Sequence, residues 1–366
     1  MLCFTNRIIL LPQDIRIIIF IILFLSWLWF ATYIHGSGLR YIDDYMRLLY
    51  LLPMYLLFSK KNIIIESHFI RVIKISSLFA LLHYIYFYYF VAVNSDSAIE
   101  FERYAGTSSI AITYSYLLAT MMVFGIYFFF KTSKEKPDYI LIFSSLIFFL
   151  LYSQTGTKGL IPGMILSTVF ILYWFRPRKI FIFVAFIPML YIYASSDISQ
   201  RVQQTIEFID TYTSSTTDEK NSKQVYRSDE STYTRIKLIE YGFDTIEIKP
   251  IFGLGPQMLE NDLYSKMKDY NMRTTIKFGH LHNDFIDIAV KFGVPSVLLL
   301  IMIYFSLARK YIIDNNKVCI LILILFIVGQ MTQSHFTHNQ AVTFFITLLF
   351  CLSGKVNLKA DAKVTK

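Results

Sequence analysis

Charge is scarce in this chain. Only 17% of its 366 residues are Asp, Glu, Lys or Arg, while 55% are hydrophobic and the mean hydropathy is +0.49. Soluble domains carry roughly 25% charged residues, so a solvated domain around one core is excluded. The apolar residues run in long blocks, and those blocks lack two-residue alternation. That excludes a membrane barrel and leaves helices, which satisfy their own backbone within each span. Cysteine is rare too. Cys3, Cys319 and Cys351 are scattered, two of them in apolar runs, so no disulfide framework or cysteine metal site is expected. There is no internal repeat and no Asp-x-Asp triplet. No small-residue cleavage site follows Ile17–Tyr33, so this run is expected to stay as a first membrane helix.

What the chain does have is apolar runs at 16–34, 47–58, 75–93, 108–130, 139–152, 160–175, 180–195, 285–308, 318–331 and 341–353. A span needs about 20 residues, so several of these must borrow polar flanks. The fold class expected is an all-α polytopic membrane protein. It has about ten transmembrane helices and one large periplasmic loop containing short amphipathic helices. Residues 1–195 read as an N-terminal membrane region of about seven helices, 196–283 as the loop, 284–353 as a C-terminal membrane region of about three helices, and 354–366 as a cytoplasmic tail.

The basic residues orient it. Alternate segments (the N-terminal tail, 59–74, 131–138, "RPRK" at 176–179, 309–317 and the C-terminal tail) hold nineteen Lys and Arg, and the opposite short loops hold four. Both termini are therefore expected in the cytoplasm. The net charge of +9 is explained without nucleic acid. The long loop, with 11 basic and 13 acidic residues, is nearly neutral. Its second half, "YTRIKLIEYGFDTIEI" (233–248), suits a short amphipathic helix through Ile236, Ile239, Tyr241, Phe243 and Ile246. "KPIFGLGP" (249–256) then reads as a tight turn.

"HLHNDFIDIAVKFGVPS" (280–296) places histidines where an apolar helix is about to begin. Asn283 is a plausible N-cap for a helix starting at Asp284. Asp284, Asp287 and Lys291 share one face; Phe285, Ile288, Ala289 and Phe292 share the other. On this topology the external boundary gathers Lys158, Arg201, Arg235, the Gly-Leu-Gly turn, His280, His282, His335 and His338. Cations and histidines dominate, and the carboxylate pairs used in sugar hydrolysis are not obvious. Arginine grips a pyrophosphate bidentately, and a histidine near neutral pH can take a proton from an attacking hydroxyl. Each residue also has a plain role. A boundary histidine can be an interfacial anchor, Arg235 a solvated loop residue, and Lys158 a snorkelling side chain. His280 and His282 lack a third ligand at metal-binding spacing, so no metal is assigned.

"TRIKLIEYGFDTIEIKPIFGLGP" followed by "HLHNDFIDIAVKFGVPS" resembles the signature of the O-antigen ligase and O-antigen polymerase superfamily. Arg235 opens the amphipathic stretch, and Pro250, Gly253 and Gly255 form the P-x-x-G-x-G turn. His282-Asn283 is followed by nine residues and then Gly293. The resemblance covers 233–296 closely and the rest in layout. Two departures stand out. Thr157-Lys158 occupies the place of a Ser-Arg pair, losing the bidentate fork. Ser296 stands where the signature ends in Gly, Thr or Tyr.

The resemblance implies a metal-independent glycosyl transfer without cofactor on the periplasmic face. The donor is a glycan on undecaprenyl pyrophosphate. His282 would be general base or acceptor-positioning group. Arg235, Lys158 and Arg201 would neutralise the pyrophosphate, with His280, His335 and His338 lining the cavity. In a polymerase the acceptor is a second lipid-linked glycan; in a ligase it is lipid A core. A chain-length regulator is a further partner to be sought. The polymerase reading is preferred on compactness and on a residue usage rich in Ile, Phe, Tyr, Asn and Lys. A lipid-linked glycan flippase is the remote alternative, disfavoured by span interiors almost free of charge.

Overall fold

The computed structural model describes residues 11–58, 65–92, 111–132, 137–157, 159–176, 230–269, 279–337 and 339–353. All regular structure among them is helical. In chain order the helices are α1 (Pro12–Ile34), α2 (Arg47–Tyr50), α3 (Leu52–Phe58), α4 (Ile65–Tyr86, continued by a wider π turn Phe87–Ala92), α5 (Ala111–Thr132), α6 (Tyr139–Gln154) and α7 (Ile161–Phe175). They continue with α8 (Glu230–Ile248), α9 (Pro256–Asp269), α10 (Asp284–Phe292), α11 (Val294–Ile313), α12 (Lys317–Thr332) and α13 (Asn339–Cys351). Four stretches among the described residues are long and apolar enough to cross a membrane: Pro12–Ile34, Ser67–Tyr89, Thr113–Thr132 and Val294–Ile313. α6, α7, α12 and most of α13 are shorter apolar helices. The run 180–195 lies outside the described residues.

Three sequence expectations change. The run 47–58 is not one span but a four-residue and a seven-residue helix, joined at Leu51, with Pro53 in the first turn of the second. The run 285–308 breaks at Gly293 into α10 and α11. α8 is longer than expected, and its buried stripe is Leu238, Tyr241, Gly242 and Thr245 at spacings of three, one and three; Phe243 is exposed.

The chain divides into two compact units, residues 1–69 with 244–366, and residues 70–243. In the second unit α5 is central and packs on α6 and α7. Gly125 permits the approach to α6, since a Cβ there would collide with Ser145 Oγ. Ser77 Oγ of α4 donates to Ser144 Oγ of α6 at 2.9 Å, and Lys74 pairs with Asp138 just before α6.

In the first unit α1 lies along α11. Ile17, Ile21, Phe24, Leu28 and Ala31 are buried on one helix, and Ser296, Leu300, Ile303, Leu307 and Lys310 on the other. Both sets alternate steps of three and four, the spacing of an interlocking seam. The outward faces stay apolar: Ile19, Ile22, Trp29, Leu298, Ile301 and Phe305 are all exposed. Surface of this kind requires hydrocarbon around it.

Each end of the seam is fastened differently. At the start of α1, buried Lys310 Nζ pairs with Asp14 Oδ1 at 3.2 Å and Asp314 Oδ2 at 3.1 Å, and Tyr55 Oη donates to Asp14. Removing one partner from such a buried pair typically costs about 3–5 kcal/mol.

At the other end the Gly-Leu-Gly turn is welded to the end of α10 by main-chain bonds. Leu254 N donates to Val290 O at 2.7 Å and Gly255 N to Lys291 O at 3.2 Å. Val294 N donates to Pro250 O at 2.8 Å. Trp27 Nε1 donates to Phe292 O at 2.9 Å while its ring stacks on Phe252. The last carbonyls of α10, normally orphaned, are thereby satisfied. Gly253 and Gly293 have φ of +71° and +87°, and a Cβ on either would strike the opposing backbone. Ser296 is buried, its hydroxyl donating to Ile288 O and Gly293 O, so only a small residue fits.

Gly36 also has positive φ (+60°), but a Cβ there meets nothing within 4 Å. Gly293→Ala is therefore expected to destabilise the protein by about 3 kcal/mol or more, and Gly36→Ala by about 1 kcal/mol. Comparative thermal unfolding in detergent checks this. Equal losses at the two positions would show that close approach is not what Gly293 supplies.

Candidate functional site

His282 sits one residue before the N-cap of α10. As the sequence pattern predicts, Asn283 is that cap: its Oδ1 accepts from Phe285 N and Ile286 N at 3.0 and 3.1 Å. The capping turn brings three consecutive side chains against residues 331–336, the end of α12 and the start of its link to α13. His282 Nδ1 lies 2.8 Å from Gln333 Oε1. Asn283 Nδ2 donates to Met331 O at 3.0 Å. Asp284 accepts from His335 N at 2.8 Å and from Phe336 N at 3.3 Å.

The polar face of α10 is thus buried rather than solvated. Asp284 and Asp287 are fully buried and Lys291 nearly so. Asp287 accepts from Leu281 N at 3.0 Å and pairs with Lys291 Nζ at 2.7 Å, so it holds the chain leading into His282. Buried polar groups persist where hydrogen bonds meet them, and these carboxylates are each doubly engaged. Burial first, then the neighbouring Asp287 charge, pushes Asp284 well above the usual carboxylate range, against the pull of its backbone donors. Burial likewise raises Asp287, with Lys291 opposing. Tyr45, packed edge-on to Phe292, is raised by burial and then by Asp287 and Asp284.

His282 itself adopts φ +54°. A left-handed backbone is costly for a residue with a Cβ, and it persists where surrounding bonds over-determine it. Here Gln333 and the Asn283 cap do so. His280 stands edge-on to His282 with ring centroids 4.5 Å apart, and its Nδ1 accepts from His282 N at 3.4 Å. His335 is fully buried between Phe326 and Phe345, its Nδ1 3.2 Å from Gln333 O.

Of the residues singled out in the sequence, His280, His282, Asn283 and His335 come together here. Pro250, Gly253, Gly255 and Gly293 form the weld at the far end of α10. Arg235 is half-buried on α8 within the other compact unit. Lys158, Arg201 and His338 lie outside the described residues. Among the described residues no cluster of His, Cys, Asp and Glu is arranged to hold a metal.

Sequence reasoning passed over Gln333, Asp284 and Asp287 as site residues. It passed over Trp27 and His35 too, although His35 Nε2 reaches Phe252 O at 3.0 Å. The available signal was a polar run, "TQSHFTHNQ", between two apolar helices, in which the histidines drew attention and the glutamine did not.

A family model described as O-antigen ligase matches residues 139–301, a stretch that contains α6 to α10 and His282. The chain is also similar to an uncharacterized protein of Haemophilus influenzae, 25% identical over 360 residues that cover 93% of this chain and 86% of that one.

The strained backbone at position 282 gives a stability expectation independent of activity. Glycine is ordinarily the worse residue, yet here His282→Gly should be more stable than His282→Ala by about 1 kcal/mol, because only glycine relieves the left-handed conformation. Thermal midpoints of the two variants decide it. The usual order, with alanine the more stable, would remove the strain argument.

Proposed function

Through residues 139–301 the chain belongs to the O-antigen ligase and polymerase superfamily, and from that premise we propose that it is a polysaccharide polymerase. It would join undecaprenyl-pyrophosphate-linked oligosaccharide repeat units at the periplasmic face of the bacterial inner membrane. The observation that carries the reading is His282, held in a strained backbone by a polar clamp. Strain and buried polarity kept together against their cost point to a reaction centre.

In the proposed reaction a hydroxyl of one lipid-linked glycan attacks the anomeric carbon of another. The C–O bond to the pyrophosphate breaks, and the lipid pyrophosphate leaves with the electron pair. His282 takes the hydroxyl proton or orients that hydroxyl. Arg235, Lys158 and Arg201 are the cations proposed to neutralise the charge that develops on the leaving group. The long loop and both termini keep the sidedness that the basic residues suggest.

The description of the matching family favours a second reading, a ligase that moves the same donor glycan onto lipid A core. The two differ in acceptor alone. Purified protein in nanodiscs is given undecaprenyl-pyrophosphate-linked repeat units without lipid A core, wild type beside His282→Ala, and products are resolved by size. A ladder from the wild type that is lost in the variant is the expected result. Transfer seen only after lipid A core is added would make the protein a ligase. A ladder that persists in His282→Ala would take His282 out of the mechanism.

A further inference from the structure

We propose that Gln333 is the positioning residue of the site, holding His282 in the tautomer with the proton on Nδ1 and leaving Nε2 as its basic nitrogen. The inference rests on the reading of His282 as a reaction-centre residue, and it concerns a side chain that the signature of the chain does not include.

The geometry points to it in three steps. First, His282 Nδ1 and Gln333 Oε1 are 2.8 Å apart, and a carbonyl oxygen can only accept, so the proton between them belongs to the imidazole. Second, Gln333 is fixed before it meets the histidine. It is 3% exposed, its N donates to Gly329 O at 3.0 Å, and its carbonyl lies 3.2 Å from His335 Nδ1. Third, the main chain on both sides of it is pinned by the two residues that follow His282. Asn283 holds Met331 O, and Asp284 holds His335 N and Phe336 N. Histidine and glutamine therefore move as one body, and the three-residue run His-Asn-Asp works as a clamp whose jaw closes on Gln333. A neutral partner sets the tautomer without adding a charge, which keeps the imidazole from being stabilised as a cation. Partners that orient a metal-ligating histidine through its second ring nitrogen contribute about 10- to 100-fold, and an effect of that order is expected here.

The test uses a nearly isosteric variant whose thioether is only a weak acceptor, Gln333→Met, and a variant that can only accept when ionised, Gln333→Glu. Protein labelled with 15N-histidine is reconstituted in nanodiscs, and the His282 ring signals are assigned by their absence in His282→Ala. The wild type should show a protonated Nδ1 and an unprotonated Nε2, and Gln333→Glu, whose carboxylate also favours the imidazolium, should show the same pattern once the pH is raised enough to deprotonate the ring. Gln333→Met should lose that fixed tautomer. In the transfer assay turnover should fall about 10- to 100-fold in Gln333→Met with the KM for the lipid-linked donor little changed, and Gln333→Glu should recover most of the loss. Combined with His282→Ala, Gln333→Met should cost nothing further. A wild-type proton on Nε2, or a tautomer unmoved in Gln333→Met, overturns the proposal. The spectra need no turnover, so a correct tautomer with full activity in His282→Ala would count against the reaction-centre reading alone.

Discussion

Two stretches of main chain approach each other with no side chain between them, and the geometry around His282 depends on that approach. Residues 250–255 lie against the end of α10 so closely that Gly253 and Gly293 have no room for a methyl group. The gain is a set of hydrogen bonds that would otherwise be missing. A nine-residue helix leaves about half its carbonyls without an internal partner, and an apolar setting makes each of those expensive. The turn supplies N–H donors to Val290 and Lys291, and Trp27 supplies one to Phe292. With its far end closed in this way, α10 can remain short, and its first turn is free to be specialised.

The beginning of α10 solves the same problem with side chains. An Asn that caps the helix and two carboxylates that accept backbone N–H groups replace the water that a soluble protein would use. Each acidic group is held in place by donors from a different piece of chain: residues 335–336 for Asp284, and Leu281 with Lys291 for Asp287. These bonds make the link after α12 and the approach to α10 a single object. Neither segment has regular structure of its own, so their order derives from the carboxylates.

Much of this was legible from the sequence, for reasons that differ by element. Long apolar runs declare α1, α5 and the α11 span because length and composition suffice there. The Asn283 cap could be read because capping chemistry is local. The break at Gly293 was harder. Apolar residues continue across it, and only a conformation outside the range of other residues, fixed by a partner some forty residues earlier, ends the helix. The division of 47–58 followed from Pro53 in a run too short to propagate. The burial of Asp284 and Asp287 was not legible at all. A stripe of acidic residues on an amphipathic helix looks solvated until the donors opposite are known, and those donors are main-chain groups that carry no sequence signal. Gln333 was obscured for the same reason: its partner is 51 residues away and its neighbours are histidines.

The two ends of the α1–α11 seam then take on different duties. The Asp14, Lys310 and Asp314 cluster is charged, largely enclosed and satisfied from within, which suits a fastening whose only requirement is to hold. The opposite end is built from backbone bonds and glycines that close α10, whose first turn follows a histidine in an unfavourable conformation. Backbone welds are stiff and cannot be repacked by a rotamer change, so they fix the short helix on whose first turn the side-chain clamp around His282 is built. A chain selected for stability alone would have placed glycine or asparagine at position 282. Keeping histidine there, with Gln333 set against its ring, exchanges a little stability for a nitrogen held in one place and one tautomer.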